Sequence, residues 1–97
     1  MLNQAVLLRG VNDDPSVLAR LSEELVALRV FPYYLHHTDK AAGNADFRVS
    51  LERGMAVYKA LSALVSGVAL PRYVIDRPDG SGKIPVSEWV HTQRTEP

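Results

Sequence analysis

Lys83 closes the run Asp76-Arg77-Pro78-Asp79-Gly80-Ser81-Gly82-Lys83-Ile84-Pro85, a glycine-rich loop that delivers one amine just after an apolar stretch. An amine presented that way suits Schiff-base chemistry with an aldehyde. The small residues before it would let a flat cofactor come close to the backbone. Gly-Ser-Gly-Lys is also ordinary turn chemistry, so a surface turn with a solvated lysine is the competing reading. A phosphate-binding P-loop does not fit. Arg77 stands where its first glycine belongs, Ile84 replaces the hydroxyl residue, and Pro85 opposes a helix opening at the lysine.

Other residues able to do chemistry sit at the ends of apolar runs. Asn12 and Asp13 follow the first run, where helix capping is the alternative reading. Asp39 and Asp76 follow the second and third, and two carboxylates at one mouth would suit a cationic ammonium; singly, each also fits a turn or cap. His36 and His37 are adjacent, so on a strand they face opposite ways and cannot readily chelate one ion. No metal site is expected. Tyr33 and Tyr34 should alternate in the same manner, one to each face.

The elements that must position these groups alternate strand and helix. Ala5 to Leu8 reads as a strand buried on both faces. Asp14 is an N-cap with Pro15 at the first helical position, and Leu18, Leu21, Leu25 and Leu28 recur at spacings of three and four. Phe31 to Leu35 is a second strand. Asp39 to Val49 is a polar loop. Ser50 caps a second helix with a stripe through Leu51, Met55, Tyr58, Leu61 or Ser62, and Val65, and Gly67 ends it. Val68 to Ile75 is a third strand, interrupted by Pro71 and Arg72, and Ser87 to Pro97 is a polar, frayed tail. The expected class is α/β, a βαβαβ parallel sheet with right-handed crossovers. In such sheets and barrels, ligands gather at the C-terminal ends of the strands.

Composition narrows the function. The 97 residues carry 11 basic and 11 acidic side chains without clustering, which gives no footprint for nucleic acid. No apolar run approaches a membrane span and no signal-peptide layout opens the chain, so a cytoplasmic location is expected. Cysteine is absent, so there is no disulfide framework.

Four segments, Asn3 to Pro15, Phe31 to Asp39, Asn44 to Ser50 and the Asp76 to Pro85 loop, resemble in order and spacing the C-terminal third of lysine 2,3-aminomutase and of its relative, the elongation factor P β-lysylation enzyme. The resemblance covers about residues 2 to 86. It implies a partial TIM-type radical barrel and a whole enzyme that uses S-adenosylmethionine, a four-iron four-sulfur cluster and pyridoxal phosphate for a 2,3-amino shift. By the same resemblance Lys83 would hold pyridoxal phosphate, Asp39 and Asp76 would hold the substrate's side-chain ammonium, Tyr33 would lie close to the cofactors, and Gln4 near adenosylmethionine. Plain packing is the competing reading for Tyr33, and a strand-end amide bonded to backbone for Gln4.

Leu35-His36 with Asp39-Lys40 leans toward the elongation factor P branch, whereas the lysine loop looks like the enzymes acting on free lysine. The family's cluster is held by three cysteines, and with none here the chain cannot supply thiolate ligands. It is therefore expected to be a piece of a longer protein and inactive alone. A non-catalytic interaction module and one half of a split barrel are the alternatives. An uncovered strand edge near Ala5 to Leu8 predicts association with a second copy or with the missing barrel half.

Overall fold

The computed structural model describes residues 2–37, 48–65, 67–77 and 82–95. Strand β1 spans Leu2–Leu7, helix α1 Pro15–Ala27, strand β2 Phe31–His37, helix α2 Leu51–Leu64, strand β3 Arg72–Asp76, strand β4 Lys83–Pro85 and helix α3 Val86–Thr95, with a 3-10 turn at Gly67–Ala69 before β3. The sheet order is β1-β2-β3-β4. β1 and β2 run parallel, as do β2 and β3, while β4 returns antiparallel to β3. The expected βαβαβ unit is present, and the lysine loop adds an antiparallel hairpin to it. Among the described residues no helix is long and apolar enough to cross a membrane.

Local chemistry starts the helices where the sequence says. The Asp14 carboxylate accepts from Ser16 N–H at 2.8 Å, with Pro15 at the first position of α1. The Ser50 hydroxyl accepts from Arg53 N–H at 3.1 Å at the start of α2. Helix α1 ends in a Schellman arrangement: Val30 N–H donates to Leu25 C=O and Arg29 N–H to Val26 C=O, with Arg29 itself at φ 63°.

Both crossover helices pack on one face of the sheet, where Leu18 and Ala19 of α1 and Val57 and Leu61 of α2 share one core with Leu7, Leu35, Tyr73 and Ile75. Leu7, Leu35, Val57, Leu61 and Val86 fill the core between the layers. The buried side of α1 is Leu18, Ala19 and Ser22, so the helix is rotated from the expected leucine stripe; Leu21 is part exposed and Leu28 exposed. Small residues at positions 19 and 22 let α1 approach the sheet beside the buried Leu18, and Leu21, Leu25 and Leu28 are left toward the rim. α2 meets the sheet at Gly54, Val57 and Leu61, with Met55 and Tyr58 at the margin.

Two further boundaries differ from expectation. The third strand begins at Arg72, because Gly67–Ala69 turns first and Pro71 cannot donate to the ladder. The segment expected as a polar tail forms α3, whose Val86 is fully buried and whose Trp89 and Val90 pack on the core. Positions 86, 89 and 90 follow the i, i+3, i+4 spacing of a helix face, a signal outweighed by the polar residues between them.

Candidate functional site on the uncovered sheet face

Strand alternation sends Leu7, Leu35, Tyr73 and Ile75 toward the helices, and the register places the opposite set together. Gln4 pairs with Tyr34, Val6 with His36, His36 with Val74, and Asp76 with Lys83. These side chains share the face that α1 and α2 leave uncovered. Asp76 and Lys83 lie at the C-terminal ends of the parallel strands, the position where ligands gather in such sheets. Val74 is buried there too, apart from the core beneath the helices.

Gln4 Oε1 accepts from His36 Nε2 at 2.9 Å, joining β1 to β2. The His36 and Tyr34 ring centroids are 5.8 Å apart. Lys83 Nζ lies 5.6 Å from the Tyr34 ring centroid, so the amine reaches across the face from β4 toward β2. His36 is held below the ordinary imidazole range chiefly because partial burial disfavours its charged form; Asp76 pulls it back up and Lys83 pushes it further down. All three groups therefore act on one another through the same space. The Tyr34 phenol is raised, first by hydrogen bonding with Tyr33, and Arg72 opposes the shift.

The tyrosine pair departs from the expected alternation. The register slips between Asn3 and Gln4, so Gln4 faces Tyr34 and Tyr33 is the extra residue of a bulge. The two tyrosine rings lie 4.3 Å apart, too close for alternating positions, and both stand on the same side. Tyr34, not Tyr33, is the ring nearest the Lys83 amine.

The remaining sequence candidates divide. Asp39 and the loop residues 78–81 lie outside the described residues. The hairpin that carries Lys83 is closed by Arg77 N–H donating to Gly82 C=O at 2.9 Å, with Gly82 at φ 118°, a conformation suited to glycine. Asn12 and Asp13 build local structure: Asn12 accepts from Leu8 N–H at 2.7 Å and donates to Val6 C=O at 2.9 Å, while Asp13 accepts from Gly10 N–H at 3.0 Å. His36 and His37 do face opposite ways, since His37 is buried on the helix side in a 2.6 Å hydrogen bond with Tyr73 Oη. Among the described residues no group of three His, Cys, Asp or Glu could hold a metal.

No family model matches the chain. Over 84 residues it is 49% identical to the L-lysine 2,3-aminomutase of Methanococcus maripaludis, a match covering 87% of this chain and 19% of the relative. The chain is a homologous segment of the lysine 2,3-aminomutase family. The L-lysine 2,3-aminomutase of Clostridium subterminale is 43% identical over 84 residues, again 87% of this chain and 20% of that protein. A glutamate 2,3-aminomutase of Clostridioides difficile is 39% identical over the same coverage. The chain thus spans about a fifth of the length of the curated relatives it matches.

Tyr34 and His36 are the members of this candidate site that sequence reasoning did not assign. Their signal was the period of two that places them on the face of Gln4, obscured at Tyr33 by the bulge.

Proposed function

We propose that this segment is the part of a lysine 2,3-aminomutase that holds pyridoxal phosphate and recognises substrate, within a longer radical barrel enzyme that moves an amino group between neighbouring carbons of L-lysine. The observation that carries the proposal is that Gln4, Tyr34, His36, Asp76 and Lys83 share the sheet face away from α1 and α2, with Asp76 and Lys83 at the C-terminal end of β3. The donor set fits the cofactor: an exposed primary amine, an aromatic ring beside it and an amide within the same face suit a flat, aldehyde-bearing ring. When bound, pyridoxal phosphate supplies an aldehyde for an amine to hold and a conjugated ring for the migrating nitrogen. S-adenosylmethionine and the four-iron four-sulfur cluster would be held mainly by other parts of the enzyme, with Gln4 at the border of that region.

Lys83, Tyr34 and the two aspartates divide the binding between them. Lys83 binds the aldehyde through its amine, and Tyr34 steadies that amine over its ring face. Asp76, together with Asp39, offers carboxylates to a substrate ammonium, which favours lysine over glutamate. The sheet excludes water from one side of the site. Free lysine is the first substrate; a lysine side chain of elongation factor P is the second, favoured by Leu35-His36. Alone, the segment is expected to hold the cofactor weakly and to be inactive.

The position of β1 at the sheet edge, with Leu2, Leu28 and Phe31 exposed, favours association with the rest of the barrel or with another copy. A module without catalytic use would share that edge but would not need Lys83.

The test compares two forms of the cofactor on the 97-residue chain. Pyridoxal phosphate should be taken up at least about tenfold more tightly than pyridoxamine phosphate, because only the aldehyde can bond to the Lys83 amine. Equal uptake by equilibrium dialysis would contradict the proposal.

A further inference from the structure

The hydrogen bond between Gln4 and His36 holds neither the cofactor amine nor a substrate carboxylate partner directly. We infer that His36 is a positioning residue of the Lys83 site: by donating from Nε2 it fixes the Gln4 carboxamide on the uncovered face, so that the Gln4 amide N–H groups are presented to a bound ligand. The inference rests on the assignment of Lys83 as the cofactor lysine.

The chemistry follows from the geometry. The atom of Gln4 that meets the ring is Oε1, an acceptor, at 2.9 Å, so the imidazole must be the donor and its Nε2 carries the proton. In the neutral ring Nδ1 then holds a lone pair. Gln4 spends its acceptor on the ring and keeps two N–H donors for other partners, which converts an ambivalent amide into a one-way hydrogen-bond donor. His36 lies between strands, paired with Val6 on one side and Val74 on the other, so its backbone is fixed by both neighbours.

The groups facing the ring make its charge matter. From β1 come Gln4 and Val6, from β2 Tyr34, from β3 Val74 and the Asp76 carboxylate with Arg72 further along, and from β4 the Lys83 amine. Partial burial and Lys83 both favour the neutral ring and only Asp76 opposes them. Protonation removes the Nδ1 lone pair and puts a second positive charge beside Lys83, which disfavours any cationic adduct there. The sign is therefore fixed: Nε2 keeps its proton and its bond to Gln4 in both states, while the neutral ring, which leaves Lys83 the only cation at that point, is present above the ordinary imidazole pKa and is lost as pH falls through the lower value in the folded chain.

The test uses the 97-residue chain with His36→Gln and His36→Phe. The first keeps a donor that does not titrate; the second removes the donor. In nuclear magnetic resonance spectra between about pH 5 and 8, the wild-type Gln4 side-chain amide signals should shift with the His36 ring signals. His36→Gln should abolish that step, and His36→Phe should displace the Gln4 signals at every pH. In a second arm, borohydride-fixed pyridoxyl label at Lys83 should fall about fivefold in His36→Phe, the worth of one neutral hydrogen bond, and be largely restored in His36→Gln. Wild-type label should fall more steeply at acid pH than label in His36→Gln.

Gln4 signals that neither track His36 nor change in His36→Phe would overturn the inference, as would equal Lys83 labelling in all three proteins. The resonance arm needs no cofactor. If Gln4 responds to His36 while Lys83 takes up no label in any protein, the cofactor assignment fails and the His36–Gln4 pairing stands by itself.

Discussion

Replacing Lys83 with arginine is expected to lower borohydride-fixed pyridoxyl incorporation by at least about tenfold while leaving the fold intact. Arginine keeps the length and charge, and its guanidinium can still lie over the Tyr34 ring that Lys83 Nζ approaches at 5.6 Å. What it cannot do is lose a proton and attack an aldehyde. The variant therefore separates an amine used for bonding from a cation used for charge. Because Lys83 is exposed at the start of β4, the change should move stability by no more than about 0.5 kcal/mol. Incorporation equal to wild type, measured by fluorescence of the reduced adduct, would show that the amine is not the reacting group.

The largest effect on stability should come from Gly54→Ala in α2. A methyl group at this position would run into the Tyr73 hydroxyl and stand 3.0 Å from its Cζ and 3.3 Å from His37 Nδ1. Tyr73 cannot step aside easily. It is 5% exposed, its ring stacks on Tyr58 at 5.3 Å, and its hydroxyl is bonded to His37 at 2.6 Å. Burial also raises the Tyr73 phenol well above its ordinary range, so this hydroxyl stays neutral in its hydrogen bond at any ordinary pH.

Overpacking costs about 1–3 kcal/mol and the broken buried hydrogen bond about as much again, against roughly 1 kcal/mol gained in helix propensity. A net loss of about 2–4 kcal/mol is expected, a large share of the stability available to a chain of this size. Urea unfolding midpoints measure it. Tyr73→Phe in the Gly54→Ala background should recover part of the loss, and a Gly54→Ala variant as stable as wild type would contradict the packing.

Much of this arrangement is legible in the sequence, for reasons that can be named. Asp14-Pro15 and Ser50 announce helix starts because their side chains satisfy orphan N–H groups locally. The apolar runs at Ala5 and Phe31 announce parallel strands, and the alternation of the two histidines follows from the strand period alone. Other features depend on contacts that spacing does not encode. The bulge at Tyr33 arises from the slip against Gln4 and breaks the expected alternation of the two tyrosines. The rotation of α1 depends on how closely Ala19 and Ser22 allow it to approach the sheet. The role of Asn12 as a bridge between Val6 and Leu8 belongs to tertiary geometry. Lys83 itself was legible from its loop, but its reach to Tyr34 was not, because the residues between them belong to different strands.

The chain offers its own control for the central claim, since it has three lysines. Lys59 lines an apolar cavity of about 340 Å³ between α2, Tyr73 and Ser87, on the far side of the sheet from Gln4 and Asp76. Lys40 lies outside the described residues. Treating the 97-residue chain with pyridoxal phosphate, reducing with borohydride and mapping the label by peptide mass spectrometry asks which face of the sheet takes the cofactor. The account predicts a label concentrated on the peptide that contains Lys83. A label concentrated on Lys59, or spread evenly over Lys40, Lys59, Lys83 and the N-terminal amine, would contradict it.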